Sequence, residues 1–186
     1  KVGDVLFVTG TPGDAAAGLA IVQGRYPSEA IKNNLKQDHS AVRYRNNTHF
    51  SYCVDRLNHP TARVLESRVI RDYANACIDV SDGLLQDLSH ILKASNCGAV
   101  IDTGKIQFSE ALSALYPPQQ CLEFALAGGD DYELLFTVPA DKANDFQAAM
   151  ASQNLSCQAI GRINNDSGKI VDQHSKPLIA SGFQHF

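Results

Sequence analysis

Asp79, Ser81 and Asp82 fall close together in Ile78-Asp79-Val80-Ser81-Asp82-Gly83-Leu84-Leu85, between a short apolar run and a segment with helical periodicity. Carboxylates repel polyphosphates. A magnesium ion reverses that sign by taking oxygen ligands from both, in an octahedral shell that usually keeps some water. Asp79 and Asp82 suit such bridging, and the Ser81 hydroxyl can hydrogen-bond a phosphate oxygen or a metal-bound water. Backbone N–H groups left free at the start of the next helix can add direct phosphate contacts, and Gly83 permits close approach. A plainer reading uses the same residues. Ser81 or Asp82 caps a helix beginning near Gly83, Asp79 makes an Asx turn, and the acidic residues favour the helix start without any ligand. On pattern alone both readings stand, and both can hold for different residues.

Gly128-Gly129-Asp130-Asp131-Tyr132-Glu133 is the second concentration of chemistry. Its glycines allow a tight approach to a ligand. Asp130 and Asp131 can ligate a metal or accept hydrogen bonds from a substrate amine; the plainer alternative is a capped turn entering a strand. Gly10-Thr11-Pro12-Gly13-Asp14 is a third candidate loop, suited to close packing or to touching an anion. The glycine-rich segments lack the dinucleotide-binding and P-loop spacings. The six histidines have no recognised metal spacing, and no Ser-His-Asp arrangement can be assigned. Electrostatic positioning for phosphoryl transfer is better supported than a covalent nucleophile.

The elements that must hold these loops alternate irregularly. Val5-Leu6-Phe7-Val8 predicts a strand, followed by a small-residue helix from Ala15 to Val22 with Gly18 as its weak point. Residues 27–60 predict short helices and long connections. Thr61 is a predicted cap for a helix through Val64, Leu65, Val69, Ile70 and Tyr73. Ala76-Cys77-Ile78 reads as a short buried strand. Leu84, Leu85, Leu88, Ile91 and Leu92 repeat at helical spacing, with Gly98 as a left-handed cap. Ala99 to Asp102 reads as a strand, and residues 108–115 and 122–126 as helices parted by Pro117-Pro118. Tyr132 to Val138 reads as a strand ended by Pro139, and residues 140–151 as a helix. Residues 159–163 and 168–171 resemble a terminal hairpin. The expected fold is α/β or α+β, a mixed β-sheet covered by helices.

The chain carries 16 basic and 20 acidic residues, a net charge of -4, which argues against a broad nucleic-acid surface. Arg43, Arg45, Arg56, Arg63, Arg68 and Arg71 give residues 43–71 a local basic bias, read most simply as solvated faces. No run resembles a membrane span. The five cysteines, at 53, 77, 97, 121 and 157, lack zinc-site spacing. Cys77 and Cys97 are expected in the core, in a reducing, cytoplasmic setting. The opening Lys1-Val2-Gly3-Asp4 reads as the start of a strand without a signal-peptide pattern, as expected for a fragment or processed chain.

Taken together, Gly3-Asp4-Val5-Leu6-Phe7-Val8-Thr9-Gly10, Gly13-Asp14-Ala15-Ala16-Ala17-Gly18-Leu19, Ile78-Asp79-Val80-Ser81-Asp82-Gly83-Leu84, Asp87-Leu88-Ser89-His90-Ile91, Ala127-Gly128-Gly129-Asp130-Asp131-Tyr132-Glu133-Leu134 and Gly182-Phe183-Gln184-His185-Phe186 stand in a family order. The chain resembles the C-terminal domain of the thiamine-monophosphate kinase family, of the aminoimidazole-ribonucleotide-synthetase-related type. The resemblance covers almost the whole chain. It implies that residues 1–186 are one domain, and that an N-terminal domain supplying further magnesium ligands, most nucleotide contacts and the dimer surface lies outside this sequence. It implies ATP-dependent phosphorylation of thiamine phosphate to thiamine diphosphate by a homodimeric enzyme, with little activity from this part alone. By resemblance, Asp79 and Asp82 are magnesium ligands, Ser81 contacts an ATP phosphate, and Asp130 and Phe186 contact the substrate. Asp130 stands where the family commonly has glutamate, one methylene longer, and Pro12 replaces a larger aliphatic residue. The alternatives are another ATP-dependent synthetase of the superfamily and a noncatalytic regulatory or assembly domain; the 128–134 segment favours the thiamine branch.

Overall fold

The computed structural model describes residues 1–25 and 47–179. In chain order its elements are β1 (Val5–Thr9), α1 (Asp14–Val22), α2 (Thr48–Asn58), α3 (Val64–Ile70), β2 (Ala76–Val80), α4 (Leu84–Ser95), β3 (Gly98–Ile101), α5 (Glu110–Leu115), α6 (Pro118–Ala127), β4 (Glu133–Val138), α7 (Ala143–Ser152), β5 (Cys157–Asn164) and β6 (Ile170–Asp172). The strands form one mixed sheet in the order β2-β4-β1-β5-β3-β6. Neighbours run antiparallel except β3 and β6, which are parallel.

A strand apolar at every position needs both faces covered. The run Val5 to Val8 accordingly lies mid-sheet, with every residue of β1 buried. Leu6 and Val8 join the core formed with Leu84, Leu88 and Leu92 of α4. Val5 and Phe7 point to the other face and pack with Val69, Phe136, Phe146 and Met150. There Phe7 stacks on Phe136 with centroids 5.6 Å apart, and Phe146 meets both rings edge-on. Burying each such side chain contributes about 1.5–3 kcal/mol. A third cluster ties α1 to α2, α5 and α6 through Ile21, Phe50, Leu112 and Cys121.

Several local expectations are corrected. The last two strands are not a hairpin: β3 lies between β5 and β6, pairing with both. Cys97 is buried as expected, but Cys77 is exposed, because β2 is an edge strand with alternating exposure. Asp79 lies within β2 rather than after it. Asn96, not Gly98, takes the left-handed position after α4. Thr61 caps no helix; α3 starts later, after Arg63, and the Thr61 hydroxyl accepts a bond from Arg56. Gly18 is less a weak point than a crossing point, because a Cβ there would collide with the Cys53 carbonyl of α2. Among the described residues no helix is long and apolar enough to cross a membrane.

The register positions the chemistry. Both β1 and β2 run antiparallel to β4, so their C-terminal ends adjoin the N-terminal end of β4, with Val80 opposite Glu133. The 10–13, 81–83 and 128–132 loops therefore emerge from the same end of the sheet.

Candidate active site

The 81–83 and 128–132 loops are fastened by their backbones. The Asp130 N–H donates to the Ser81 carbonyl at 2.9 Å, and the Tyr132 N–H to the Val80 carbonyl at 2.9 Å. Gly129 is required by this contact, since a Cβ would collide with the Ser81 carbonyl. Asp130 and Tyr132 both have positive φ, 64° and 51°, uncommon for residues with a side chain. The alternation that results leaves Asp130 and Tyr132 exposed and turns Asp131 and Glu133 into the protein. Ser81 and Asp130 thus sit on adjoining loops.

Helix α4 has no cap from Ser81 or Asp82. Its N-cap is Gly83, without a side-chain bond. Asp87, buried in the first turn, instead holds the backbone that leads into the helix. Its Oδ2 accepts from the Ser81 N–H at 2.9 Å and the Asp82 N–H at 3.1 Å. Burial raises the Asp87 carboxyl above the usual range, while these amide bonds pull it down. Both of these amides precede the helix, ahead of its N-cap Gly83. Asp82 also lies in a group with Asp87 and His90, whose ligating atoms are all within 4.8 Å of one another. Asp79, exposed on β2, is not in that group.

The start of α1 is closed in the same manner from much farther along the chain. Asp131 accepts the Gly13 N–H at 2.7 Å and the Ala15 N–H at 3.2 Å. Asp131 therefore serves as an acceptor for the 10–14 loop, turned inward and not offered to a substrate amine. Burial pushes its carboxyl up to about 8, against the two amide bonds, which favour the charged form. Asp14 is buried as well, bonded by the Thr11 hydroxyl at 2.7 Å and the Ser109 hydroxyl at 2.5 Å, and burial raises it despite both bonds.

Glu133 anchors the other side. It is fully buried on a strand and accepts from Thr9 Oγ1 at 2.6 Å, Arg56 Nη2 at 2.9 Å, and Arg63 Nε and Nη2 at 2.6 Å each. The forked Arg63 contact is the geometry that makes arginine–carboxylate pairs directional. Arg56 also reaches the Asp131 carbonyl at 3.3 Å. Two arginines of the basic 43–71 segment are thus internal counter-charges and not part of a solvated face. The available signal was Glu133 itself: a carboxylate inside an otherwise apolar strand needs a cation. The partners of Asp87 and Asp131 had no comparable signal. Phe186, expected in the substrate pocket, lies outside the described residues.

A sheet of this order, with motif loops joined at one end, has a family. The chain belongs to the family of AIR synthase related proteins, C-terminal domain, whose model matches residues 1–173. Within it, the chain is 40% identical over 189 residues to thiamine-monophosphate kinase of Escherichia coli (strain K12), a match covering 100% of this chain and 53% of the relative. The solved thiamine-monophosphate kinase from Stenotrophomonas maltophilia K279a is similar with a TM-score of 0.78 and 35% identity, covering 96% of this chain and 52% of that one. The structure of AaThiL complexed with AMPPCP and TMP is similar with a TM-score of 0.76 and 30% identity, covering 100% of this chain and 52% of that one. The chain spans about half the length of the curated relatives it matches.

Proposed function

We propose that this chain is the C-terminal domain of a thiamine-phosphate kinase, an enzyme that transfers the γ-phosphoryl group of ATP to thiamine phosphate, giving thiamine diphosphate and ADP. The observation that carries the reading is the joining of the Ser81–Asp82 loop to the Asp130 loop, in a chain 40% identical along its whole length to such a kinase. The remaining nucleotide contacts and metal ligands are assigned to an N-terminal domain, and the working assembly to a homodimer. Five free cysteines suit a cytoplasmic setting.

Asp79 and Asp82 are assigned to hold a hard divalent cation through their carboxylate oxygens, Asp82 on a backbone fixed by Asp87. Magnesium held there would screen the phosphate charges and stabilise charge on the transferred group. Ser81 donates its hydroxyl to a phosphate oxygen of ATP. Asp130 presents its carboxylate to the cationic substrate, with a reach one methylene shorter than glutamate, and Phe186 offers a ring to the planar heterocycle. The acceptor phosphate oxygen attacks the γ-phosphorus as the bond to ADP breaks, so no protein nucleophile is required. What the chain supplies is alignment and electrostatics.

The test is thiamine diphosphate formation from ATP and thiamine phosphate by the intact protein that carries this chain. Asp82→Asn is expected to lower kcat roughly a hundredfold, the scale of losing one preorganised electrostatic contact, with an unchanged urea midpoint. Unchanged turnover would remove Asp82 from the metal role, and absence of product from the folded intact protein would overturn the kinase reading.

A further inference from the structure

The segment that presents Asp130 passes through two left-handed residues, Asp130 and Tyr132, with φ of 64° and 51°. Backbone of this kind persists where its surroundings over-determine it. Three sets of bonds do so here. The Asp130 and Tyr132 amides donate to the Ser81 and Val80 carbonyls, and the Asp131 carboxylate accepts from the Gly13 and Ala15 amides. The third comes from a side chain far upstream: Arg56, in the last turn of α2, donates from Nη2 to the Asp131 carbonyl at 3.3 Å. That carbonyl belongs to the residue between the two left-handed positions. Building on the reading of Asp130 as the carboxylate that meets the cationic substrate, we propose that Arg56 is a positioning residue for Asp130. It fixes the peptide between the left-handed residues and so sets where the Asp130 carboxylate stands.

The two arginines that meet Glu133 have different reach. Arg63 uses Nε and Nη2 on Glu133 and Nη1 on Glu66, so its bonds all go to carboxylates. Arg56 gives Glu133 one bond at 2.9 Å, from the same Nη2 that reaches the Asp131 carbonyl, while its Nη1 donates to the Thr61 hydroxyl at 2.9 Å. Glu133 and Thr61 therefore orient the guanidinium plane, and the plane carries that orientation to the loop. Arg56 is 8% exposed, so it stands behind the loop rather than facing a substrate. Lysine would keep the charge but replace the planar fork with a point charge on a flexible stem. Arg56→Lys thus retains a cation for Glu133 and removes the fixed geometry.

The experiment uses the intact protein that carries this chain. Thiamine phosphate affinity is read by calorimetry, turnover by thiamine diphosphate formation, and backbone order by amide hydrogen exchange over residues 128–134. A displacement of about 1 Å at a binding group can cost about a hundredfold, so Arg56→Lys is expected to weaken thiamine phosphate at least about tenfold, with the KM for ATP changed less than about twofold. Exchange at the Asp130 and Tyr132 amides is expected to accelerate. In an Asp130→Asn background the same substitution should weaken thiamine phosphate by less than about a further twofold, because residues acting through one another do not add. Arg63→Lys is the contrast: it is expected to lower the urea midpoint while leaving thiamine phosphate affinity within about twofold, the scatter of uncoupled sites. The proposal is overturned if Arg56→Lys leaves that affinity unchanged. It is equally overturned if the loss is as large in the Asp130→Asn background, as a merely structural role would give. If Arg56→Lys does not fold, Thr61→Val takes its place, removing only the acceptor of Nη1 at an exposed position; weaker thiamine phosphate binding then supports the proposal and unchanged binding overturns it. Should the wild type bind thiamine phosphate but form no thiamine diphosphate, the kinase reading falls and the affinities still decide the positioning role. Should it bind none, the kinase reading falls and exchange decides: acceleration in Arg56→Lys but not in Arg63→Lys upholds the role, and equal rates overturn it.

Discussion

Replacing Glu133 by glutamine tests whether the buried charge cluster holds this end of the sheet together. Glutamine is nearly isosteric, keeps one acceptor oxygen and removes the charge. Its amide would turn a donor toward guanidinium groups that are donors themselves. Glu133 has no exposed side-chain surface, and the Arg56 and Arg63 side chains are 10% and 20% exposed. Removing one member of a buried pair typically costs 3–5 kcal/mol, and partial solvent access to Arg63 places the expectation near the lower end, at about 3 kcal/mol. With a urea slope of roughly 2 kcal/mol per molar for a domain of this size, the unfolding midpoint should fall by about 1.5 M. Glu66→Gln is the comparison: its carboxylate, 12% exposed, makes one 3.3 Å contact with Arg63 Nη1, and because Glu133 still pairs Arg63 through two shorter bonds its loss should cost less than that of Glu133. A Glu133→Gln midpoint as close to wild type as that of Glu66→Gln would refute the assignment of Arg56 and Arg63 as internal counter-charges. Converting all three members to methionine should recover much of the loss, since a well-packed apolar replacement leaves no charge unpaired.

Two other positions give expectations of definite sign. Burial raises the folded-state pKa of Asp131 to about 8 from the ordinary aspartate value of 3.8, so between these values the native state holds a proton that the unfolded state has released. Its contribution is complete below the lower value and is lost as pH rises through the upper one, with a slope approaching about 1.4 kcal/mol per pH unit. Urea midpoints of the wild type should therefore fall between pH 5 and pH 8, and Asp131→Asn should flatten that fall; equal slopes in the two proteins would sink the assignment. At the α1–α2 crossing, Gly18→Ala sets helix propensity, worth about 1 kcal/mol in favour of alanine, against a Cβ forced onto the Cys53 carbonyl. Overpacking against backbone costs about 1–3 kcal/mol and should win, lowering Tm by a few degrees; a raised Tm would mean that the helices separate without penalty.

What was legible in the sequence divides by the range of the interaction that decides it. The continuous apolar run of β1 requires cover on both faces, and the periodicity of residues 84–92 requires one buried helix face; both were readable because burial acts on every residue of an element. The terminal hairpin was misread because an Asn-Asn-Asp-Ser-Gly turn specifies a reversal of direction but not the neighbour. The Gly168 N–H bonds to Cys97 and the Ala99 N–H to Lys169, and these contacts deliver β6 to the free edge of β3. Charge was legible in kind but not in destination. Glu133, in an apolar strand, demanded a cation, yet two arginines some seventy residues upstream answer it. The candidate site shows the same division. Asp79, Ser81, Asp82 and Asp130 could be named from type and spacing, since oxygen ligands beside small residues are a local pattern. Asp87 and Asp131 could not be separated from ordinary helix and turn acids, because their role is defined by which amides they consume. That consumption changes the chemistry inferred from the motif: the Ser81 and Asp82 amides ahead of α4 are already bonded to Asp87, so what these two residues have left to offer is their side chains.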